Sequence, residues 1–183
     1  MSLHSEIRER LPETTVEVLI PDFKGSREAL TMVMDARPEI LNHNVETVPR
    51  LFKKVQPQDR YEWARATLAN AKALDPEVLT KSGIMLGLGE TLDEVRAVMR
   101  DLRGWGVDIL TIGQYLRPTS WHLQVADYVR PEIFKEFEEA GLNRGFLSVP
   151  SGPLVRSSYR AGEKLLESRI RERQMKEGSH VRA

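Results

Sequence analysis

Three side chains of one short segment have the types and spacing to hold a polar ligand. In Asn42-His43-Asn44-Val45-Glu46, two amides and a carboxylate recur at every second position. If the segment is a strand, these three side chains point to one face. Polar side chains on an inward face cost free energy unless they are used. The pattern therefore predicts contacts to ribose hydroxyls and an amino group. The alternative is hydrogen bonding to the backbone of neighbouring strands.

A second group of candidates follows about forty residues later. Lys81 and Ser82 lie in a predicted strand. A strand lysine could form a Schiff base, pair with a substrate carboxylate, or extend to the rim of the fold. The segment Gly87-Leu88-Gly89-Glu90 would let backbone approach a ligand closely. Its spacing is not that of a dinucleotide fingerprint, and a tight strand-to-helix turn is the alternative.

A third candidate segment lies near the end of the sequence. Arg156, Ser157, Ser158 and Tyr159 follow a Pro-Ser-Gly-Pro turn. One of the serines could cap the last helix. A cap alone would not require the arginine and tyrosine on either side.

The composition of the chain excludes several classes of protein. The 183 residues contain no cysteine, and 27 basic residues balance 27 acidic ones. No disulfide, zinc thiolate, cysteine nucleophile or iron–sulfur cluster can rest on the chain's own thiolates. The four histidines have no metal-ligand spacing, and no catalytic residue is assigned. The balanced charge and the lack of a long apolar run predict neither a nucleic-acid nor a membrane partner. The charged first residues do not form a signal peptide, so a cytoplasmic location is expected.

Alternating strands and helices must position these candidates. Strands are predicted over residues 15–20, 39–45, 78–86, 108–113 and 145–149. Helices are predicted over residues 3–11, 26–37, 49–55, 58–74, 91–104, 131–141 and 160–177. Such alternation predicts an α/β fold of parallel strands with right-handed crossovers. In such folds chemistry collects at the carboxyl ends of strands, where the polar and glycine-rich segments of this chain lie.

Longer motifs add a family resemblance to this pattern. The chain resembles the lipoyl synthases, which are radical S-adenosylmethionine (SAM) enzymes. The matching stretches are VEVLIPDFKG (16–25), LNHNVETV (41–48), RYEWARATLANAKAL (60–74), LTKSGIMLGLGET (79–91), DILTIGQYLRP (108–118) and SGPLVRSSYRAG (151–162).

The resemblance implies an incomplete (β/α)6 partial TIM barrel of parallel strands with a C-terminal helical extension. Residues 1–149 would be the C-terminal part of that barrel, and residues 150–183 the Arg-Ser-Ser-Tyr segment and a charged helix. The family's SAM-derived radical removes hydrogen from C6 and C8 of a protein-bound octanoyl chain. One [4Fe–4S] cluster cleaves SAM, and a second supplies two sulfur atoms, which gives the lipoyl group. The implied partners are octanoylated lipoyl domains or the glycine-cleavage H protein. The implied location is mitochondrial if the source is eukaryotic.

The resemblance also implies roles for individual residues. The residues expected to line the SAM pocket are Asn42, Asn44, Glu46, Lys81, Ser82, Gln114 and Tyr115. In this assignment Lys81 meets a carboxylate and does not form an imine. Ser158 would ligate one iron of the second cluster, with Ser157 as the alternative, and Arg156 would orient that segment.

One departure from the family pattern is severe. The family holds its clusters with cysteines that precede the VEVLIPDFKG stretch, and this sequence has none. The chain is therefore expected to be a truncated lipoyl synthase, half of a split enzyme whose cysteine-bearing half is a separate chain, or a non-catalytic remnant. In each case the isolated chain is expected to be inactive.

Overall fold

The computed structural model describes residues 3–11, 14–156 and Ile170, and its strands form one parallel sheet. The strands are β1 (Glu17–Leu19), β2 (Ile40–Asn42), β3 (Leu79–Leu86), β4 (Ile109–Gln114) and β5 (Ser151–Gly152). Their order in the sheet is the order in the sequence. Each strand runs parallel to its neighbour. Sequential parallel order is the arrangement of barrels, whereas doubly wound sheets reverse their order. The predicted α/β class is confirmed.

Helices alternate with these strands. They are α1 (Leu3–Arg10), α2 (Arg27–Met34), α3 (Phe52–Val55), α4 (Tyr61–Leu74), α5 (Leu92–Gly104) and α6 (Pro131–Asn143). The Ser26 hydroxyl accepts a hydrogen bond from the Ala29 amide and caps α2. Thr91 and Glu94 form the reciprocal capping box of α5. Both starts were predicted from the sequence because these side chains satisfy amide donors that a helix leaves open.

The last strand differs from its prediction. The sequence predicts a strand over residues 145–149 and a turn at 150–153, whereas β5 lies at Ser151–Gly152. Before it, only a single bridge joins Ser148 to Ile109. Pro150 has no amide proton to donate, so it interrupts the ladder. Its carbonyl still accepts a hydrogen bond from the Ile112 amide at 2.9 Å, which guides the chain into β5.

The sheet has two faces of different character. We call the face that packs against the helices the helix side and the opposite face the inner face. On the helix side, Leu41 of β2, Leu110 and Ile112 of β4, and Phe134 and Phe137 of α6 share one large apolar core. Burial of this core supplies most of the driving force for folding.

The inner face carries a smaller apolar cluster. Ile40, Leu79 and Ile109 meet there on adjacent strands. Ile170 is helical, lies within the predicted final helix and is buried against this cluster. The other residues of that helix, with Ser157 and Ser158, lie outside the described residues. The division between residues 149 and 150 stays a prediction. Among the helices that the structure describes, none has the length and apolar character of a membrane span.

Candidate functional site

The parallel register gathers polar side chains on the inner face, from the start of β1 across β3 to the segment that follows β2. We call Glu17, Asn42, Asn44, Glu46 and Lys81 the inner row. Asn42 of β2 pairs with Lys81 of β3, and paired residues of neighbouring strands point to the same face. Both are almost completely buried, with 1% of Asn42 and 5% of Lys81 exposed. The structure therefore brings together Asn42 and Lys81, which are far apart in the sequence.

Glu17 of β1 links these two side chains. Its Oε1 atom accepts hydrogen bonds from Asn42 Nδ2 at 2.8 Å and from Lys81 Nζ at 2.9 Å. Its Oε2 atom lies 3.1 Å from Lys81 Nζ. Glu17 was not among the residues predicted from the sequence. Its signal was a single carboxylate in the middle of an otherwise apolar and β-branched strand segment.

Asn44 and Glu46 continue the row beyond β2. The Asn44 side chain lies near the Glu46 carboxylate and favours its ionised form. Burial raises the pKa of Glu46 above its usual value, and the Asn44 side chain partly opposes this rise. The backbone of Glu46 is left-handed, with φ of +61°, and the residue bridges to Ile84 of β3. This turn of the backbone sets the Glu46 carboxylate beside Asn44.

A glycine makes room for Asn44. A Cβ atom at Gly83 would lie 2.8 Å from Asn44 Oδ1 and 2.8 Å from Thr111 Oγ1. Any larger residue would push these two polar side chains out of place. Neither Gly83 nor Thr111 was predicted from the sequence as part of the site, although both lie in matching stretches, because their role depends on a contact between different strands.

Two neighbours of the row point to the helix side. Ser82 pairs with Leu110 of the helix-side core, so it lies on the opposite face from Lys81. His43 lies between the two asparagines and places its Nδ1 atom 2.9 Å from the Ile20 carbonyl oxygen. Burial lowers the pKa of His43, although this hydrogen bond opposes the shift. The structure thus separates Ser82 from the residues predicted to share its pocket, and its ligand contact stays a prediction.

Gln114 and Tyr115 also lie away from the inner row. The Gln114 amide donates to the carbonyl oxygens of Tyr115 and Asp127, both at 3.0 Å, and accepts from the Val129 amide. The Tyr115 hydroxyl donates to the Leu123 carbonyl at 2.9 Å. Both side chains fasten the irregular segment 115–130 to the end of β4. Their predicted role as ligand contacts has no support in this arrangement and stays a prediction.

The glycine-rich segment forms a closed turn. The Glu90 carboxylate accepts from the amides of Gly87 at 2.6 Å and Leu88 at 2.9 Å. Arg50 donates to the Gly89 carbonyl and forms two hydrogen bonds with Glu94. The hydrogen bond from Arg50 lowers the pKa of Glu94 to about 2. A cavity of about 490 Å³ lies between this turn and residues 127–133.

The segment after β5 crosses the inner face. A Cβ atom at Gly113 of β4 would lie 2.5 Å from the Val155 carbonyl oxygen, so only glycine allows this approach. Arg156 follows and is exposed. Its orienting role stays a prediction, and the proposed iron ligand Ser158 lies outside the described residues.

The comparisons with known proteins agree with this architecture. The family model of the radical SAM superfamily matches residues 1–102, more than half of the chain. The chain therefore belongs to the radical SAM superfamily, whose partial (β/α) barrel accounts for the sequential parallel sheet.

Within that superfamily the relatives are lipoyl synthases, and the resemblance found in the sequence motifs is confirmed. The lipoyl synthase of Rubrobacter xylanophilus is 56% identical over 163 residues, which are 89% of this chain and 51% of the relative. That of Caldanaerobacter subterraneus subsp. tengcongensis is 57% identical over 83% of this chain and 54% of the relative. That of Thermus thermophilus is 55% identical over 88% of this chain and 50% of its own length. The chain thus spans about half the length of the curated relatives that it matches.

The residues present fit the two cofactor types of this family differently. Asn42 and Asn44 each present a buried Oδ1 atom without a hydrogen-bond donor among the described residues. Such acceptors suit the hydroxyl and amino groups of SAM. An iron–sulfur cluster does not fit, since the sequence has no cysteine. The described residues also contain no group of three or more His, Asp or Glu side chains placed to hold a metal ion.

Proposed function

We propose that this chain is the SAM-binding part of a lipoyl synthase-like enzyme. The proposed reaction inserts two sulfur atoms at C6 and C8 of an octanoyl chain carried by a lipoyl domain or by the glycine-cleavage H protein. The observation that carries the proposal is the inner row, which joins β1, β2 and β3 through the Glu17 carboxylate, in a chain 56% identical over 163 residues to a lipoyl synthase.

In this proposal the inner row binds and orients SAM. Asn42, Asn44 and Glu46 offer acceptors for hydroxyl and amino hydrogens, and Lys81 offers a buried cation near a carboxylate. When bound, SAM supplies the chemistry that removes hydrogen atoms from unactivated carbon. The burial of Asn42 and Lys81 excludes water from this part of the inner face. A dry, pre-arranged polar site strengthens each hydrogen bond to the ligand.

The isolated chain is proposed to be inactive because its sequence offers no thiolate for a cluster. A chimera tests this. The N-terminal half of the Rubrobacter xylanophilus enzyme is fused to this chain, and iron, sulfide, SAM and a one-electron reductant are added to the chimera and to the isolated chain alike. We expect conversion of an octanoyl-lysine peptide to the lipoyl form by the chimera and none by the isolated chain, as measured by mass spectrometry. The chimera with Asn44→Ala should lose turnover. The chimera with Glu62→Gln, at an exposed position of α4, is the control and should retain it.

Each outcome decides one part of the proposal. A chimera that holds its clusters but never converts the peptide contradicts the lipoyl synthase function. Turnover by the isolated chain contradicts its inactivity. The second candidate function is a binding module that acts alone or within a split enzyme. The lack of cysteine favours it. It predicts that the isolated chain binds SAM in calorimetry although the chimera does not turn over.

A further inference from the structure

Glu17 contacts more of the inner row than any residue predicted from the sequence. Its carboxylate binds the side chains of the next two strands, Asn42 of β2 and Lys81 of β3. The Lys81 side chain is 6% exposed and that of Glu17 is 33% exposed. A buried cation is costly without a paired charge, so Glu17 is what allows Lys81 to lie on this face. Glu17 therefore determines the charge of the row.

The same carboxylate determines which way the Asn42 amide points. An ionised carboxylate only accepts hydrogen bonds, so the Asn42 group that faces Glu17 must be the NH₂ group. The Oδ1 atom is then directed elsewhere, where it is buried and has no donor among the described residues. The hydrogen-bond partners decide which end of the Asn42 amide is oxygen and which is nitrogen, because the two atoms are nearly equal in size and shape.

Asn44 offers a second acceptor one step along the row, since its Oδ1 atom is also buried and without a donor in the described part of the chain. The row thus offers two amide acceptors, and the Glu17 carboxylate orients the first of them. A ligand that satisfies them must bring hydrogen-bond donors, such as a pair of hydroxyl groups.

We propose that Glu17 is a positioning residue that makes the inner row selective for the vicinal diol of a ribonucleoside. Glu17 does not touch the ligand. It holds Asn42 as an acceptor and balances the charge of Lys81. This inference rests on the proposed function, since it assigns the selectivity of the same site.

Calorimetry with the whole chain and two probes tests the inference. The probes are S-adenosylhomocysteine and its 2′-deoxy analogue, which differ by one hydroxyl donor. We expect the unchanged chain to bind the ribose form about tenfold more tightly, as expected for the loss of one hydrogen bond. In Glu17→Gln the new side chain can also donate a hydrogen bond. The Asn42 amide can therefore rotate by 180° and exchange the places of its oxygen and nitrogen. The preference should fall to about onefold to twofold.

Two further variants make the result decisive. Glu62→Gln makes the same chemical change on exposed α4 and should keep the tenfold preference. Asn42→Ala removes the acceptor itself and should lose the preference even if Glu17→Gln does not fold. A folded Glu17→Gln variant that keeps the preference shows that Glu17 is merely structural. An unchanged preference in Asn42→Ala shows that Asn42 is not the acceptor that recognises the diol. Failure of the unchanged chain to bind either probe contradicts SAM binding itself. Binding of both probes by the unchanged chain without a preference contradicts the diol selectivity, and with it the role of Glu17, but not SAM binding.

Discussion

Two polar regions of the same sheet, the glycine-rich turn and the inner row, differ in how completely their polar groups are paired. In the glycine-rich turn after β3, the Glu90 carboxylate accepts from two backbone amides and Arg50 closes the outside. In the inner row, the amides of Asn42 and Asn44 each keep a buried acceptor without a donor in the described structure. The polar groups of the glycine-rich turn are fully paired without a ligand. The two acceptors of the inner row would gain hydrogen bonds from a ligand.

The difference is informative because the two segments look alike as sequence. Both are short, polar and placed after a predicted strand, so either could have held the ligand. An unpaired buried acceptor costs about 1–3 kcal/mol, whereas a paired one costs little. Thr47, Gln56 and Ser82 also keep a buried oxygen without a partner in the described structure, but two such acceptors on one face occur in the inner row. That pairing favours the inner row as the site, whereas the paired groups of the turn favour a structural role.

The largest expected effect on stability comes from adding a side chain at Gly87 in the glycine-rich turn. Gly87 has φ of +96°, and an added Cβ would collide with the Gln114 side-chain nitrogen and the Asp127 carbonyl oxygen. We expect Gly87→Ala to lower the free energy of unfolding by about 2–4 kcal/mol, from backbone strain and overpacking together. Urea denaturation measures the change.

Gly104→Ala is the matched control for this experiment. A Cβ atom at Gly104 would meet nothing within 4 Å, and the residue ends α5. Alanine there should leave stability unchanged or raise it by up to about 1 kcal/mol. Equal losses at both glycines would mean that the turn is not tightly packed.

A smaller effect separates the two kinds of amide. The Gln114 side chain satisfies three backbone groups, whereas the Asn42 side chain hydrogen-bonds only to Glu17 within the described residues. We expect Gln114→Ala to cost about 2–3 kcal/mol and Asn42→Ala to cost about 1 kcal/mol. Thermal or urea unfolding of the two variants checks the ranking. A larger loss at Asn42 would show that the inner row is held for stability and not for a ligand.

The smallest effects concern pH, and the two segments should respond with opposite signs. Burial raises the pKa of Glu46 above 4.5, so the folded state holds this proton more tightly than the unfolded chain. The stability that this proton contributes is complete below pH 4.5 and is lost as pH rises through the raised pKa. Arg50 lowers the pKa of Glu94 to about 2, so the stability contributed by Glu94 is present above pH 4.5 and is lost as pH falls towards 2.

Variants that cannot titrate isolate these two contributions. Relative to Glu46→Gln, the unchanged chain should be more stable at pH 4 than at pH 7. Relative to Glu94→Gln, it should be more stable at pH 7 than at pH 3, by a small amount because this ion pair is exposed and screened. Urea titrations at each pH give both differences. The same sign for both variants would remove the electrostatic contrast between the row and the turn.

Local signals in the sequence predicted most of the fold. Three helix starts were predicted correctly. Ser26 and Thr91 cap their helices by accepting hydrogen bonds from backbone amides of the first turn. Pro131 begins α6 because the first helical position does not need an amide proton. The fifth strand was misplaced because its pairing depends on how Pro150 passes β4, which is a contact between distant segments.

The candidate site was predicted less completely. Alternation correctly placed Asn42 and Asn44 on the inner face together. Glu17 was missed because its role comes from register with two other strands, and register is not visible in a single segment. Gln114 was assigned to a pocket because the sequence could not show that segment 115–130 would fold back onto its side chain.

The burial of Ile170 has a consequence for the order in which the chain assembles. The five strands pair only with their neighbours in sequence, so each pairing closes a modest loop and costs limited chain entropy. Ile170 instead reaches back to Ile40, Leu79 and Ile109 across most of the chain. Such a contact gains little until those strands are already in place. We therefore expect the contact of Ile170 with the inner face to form late in folding, after the five strands have paired.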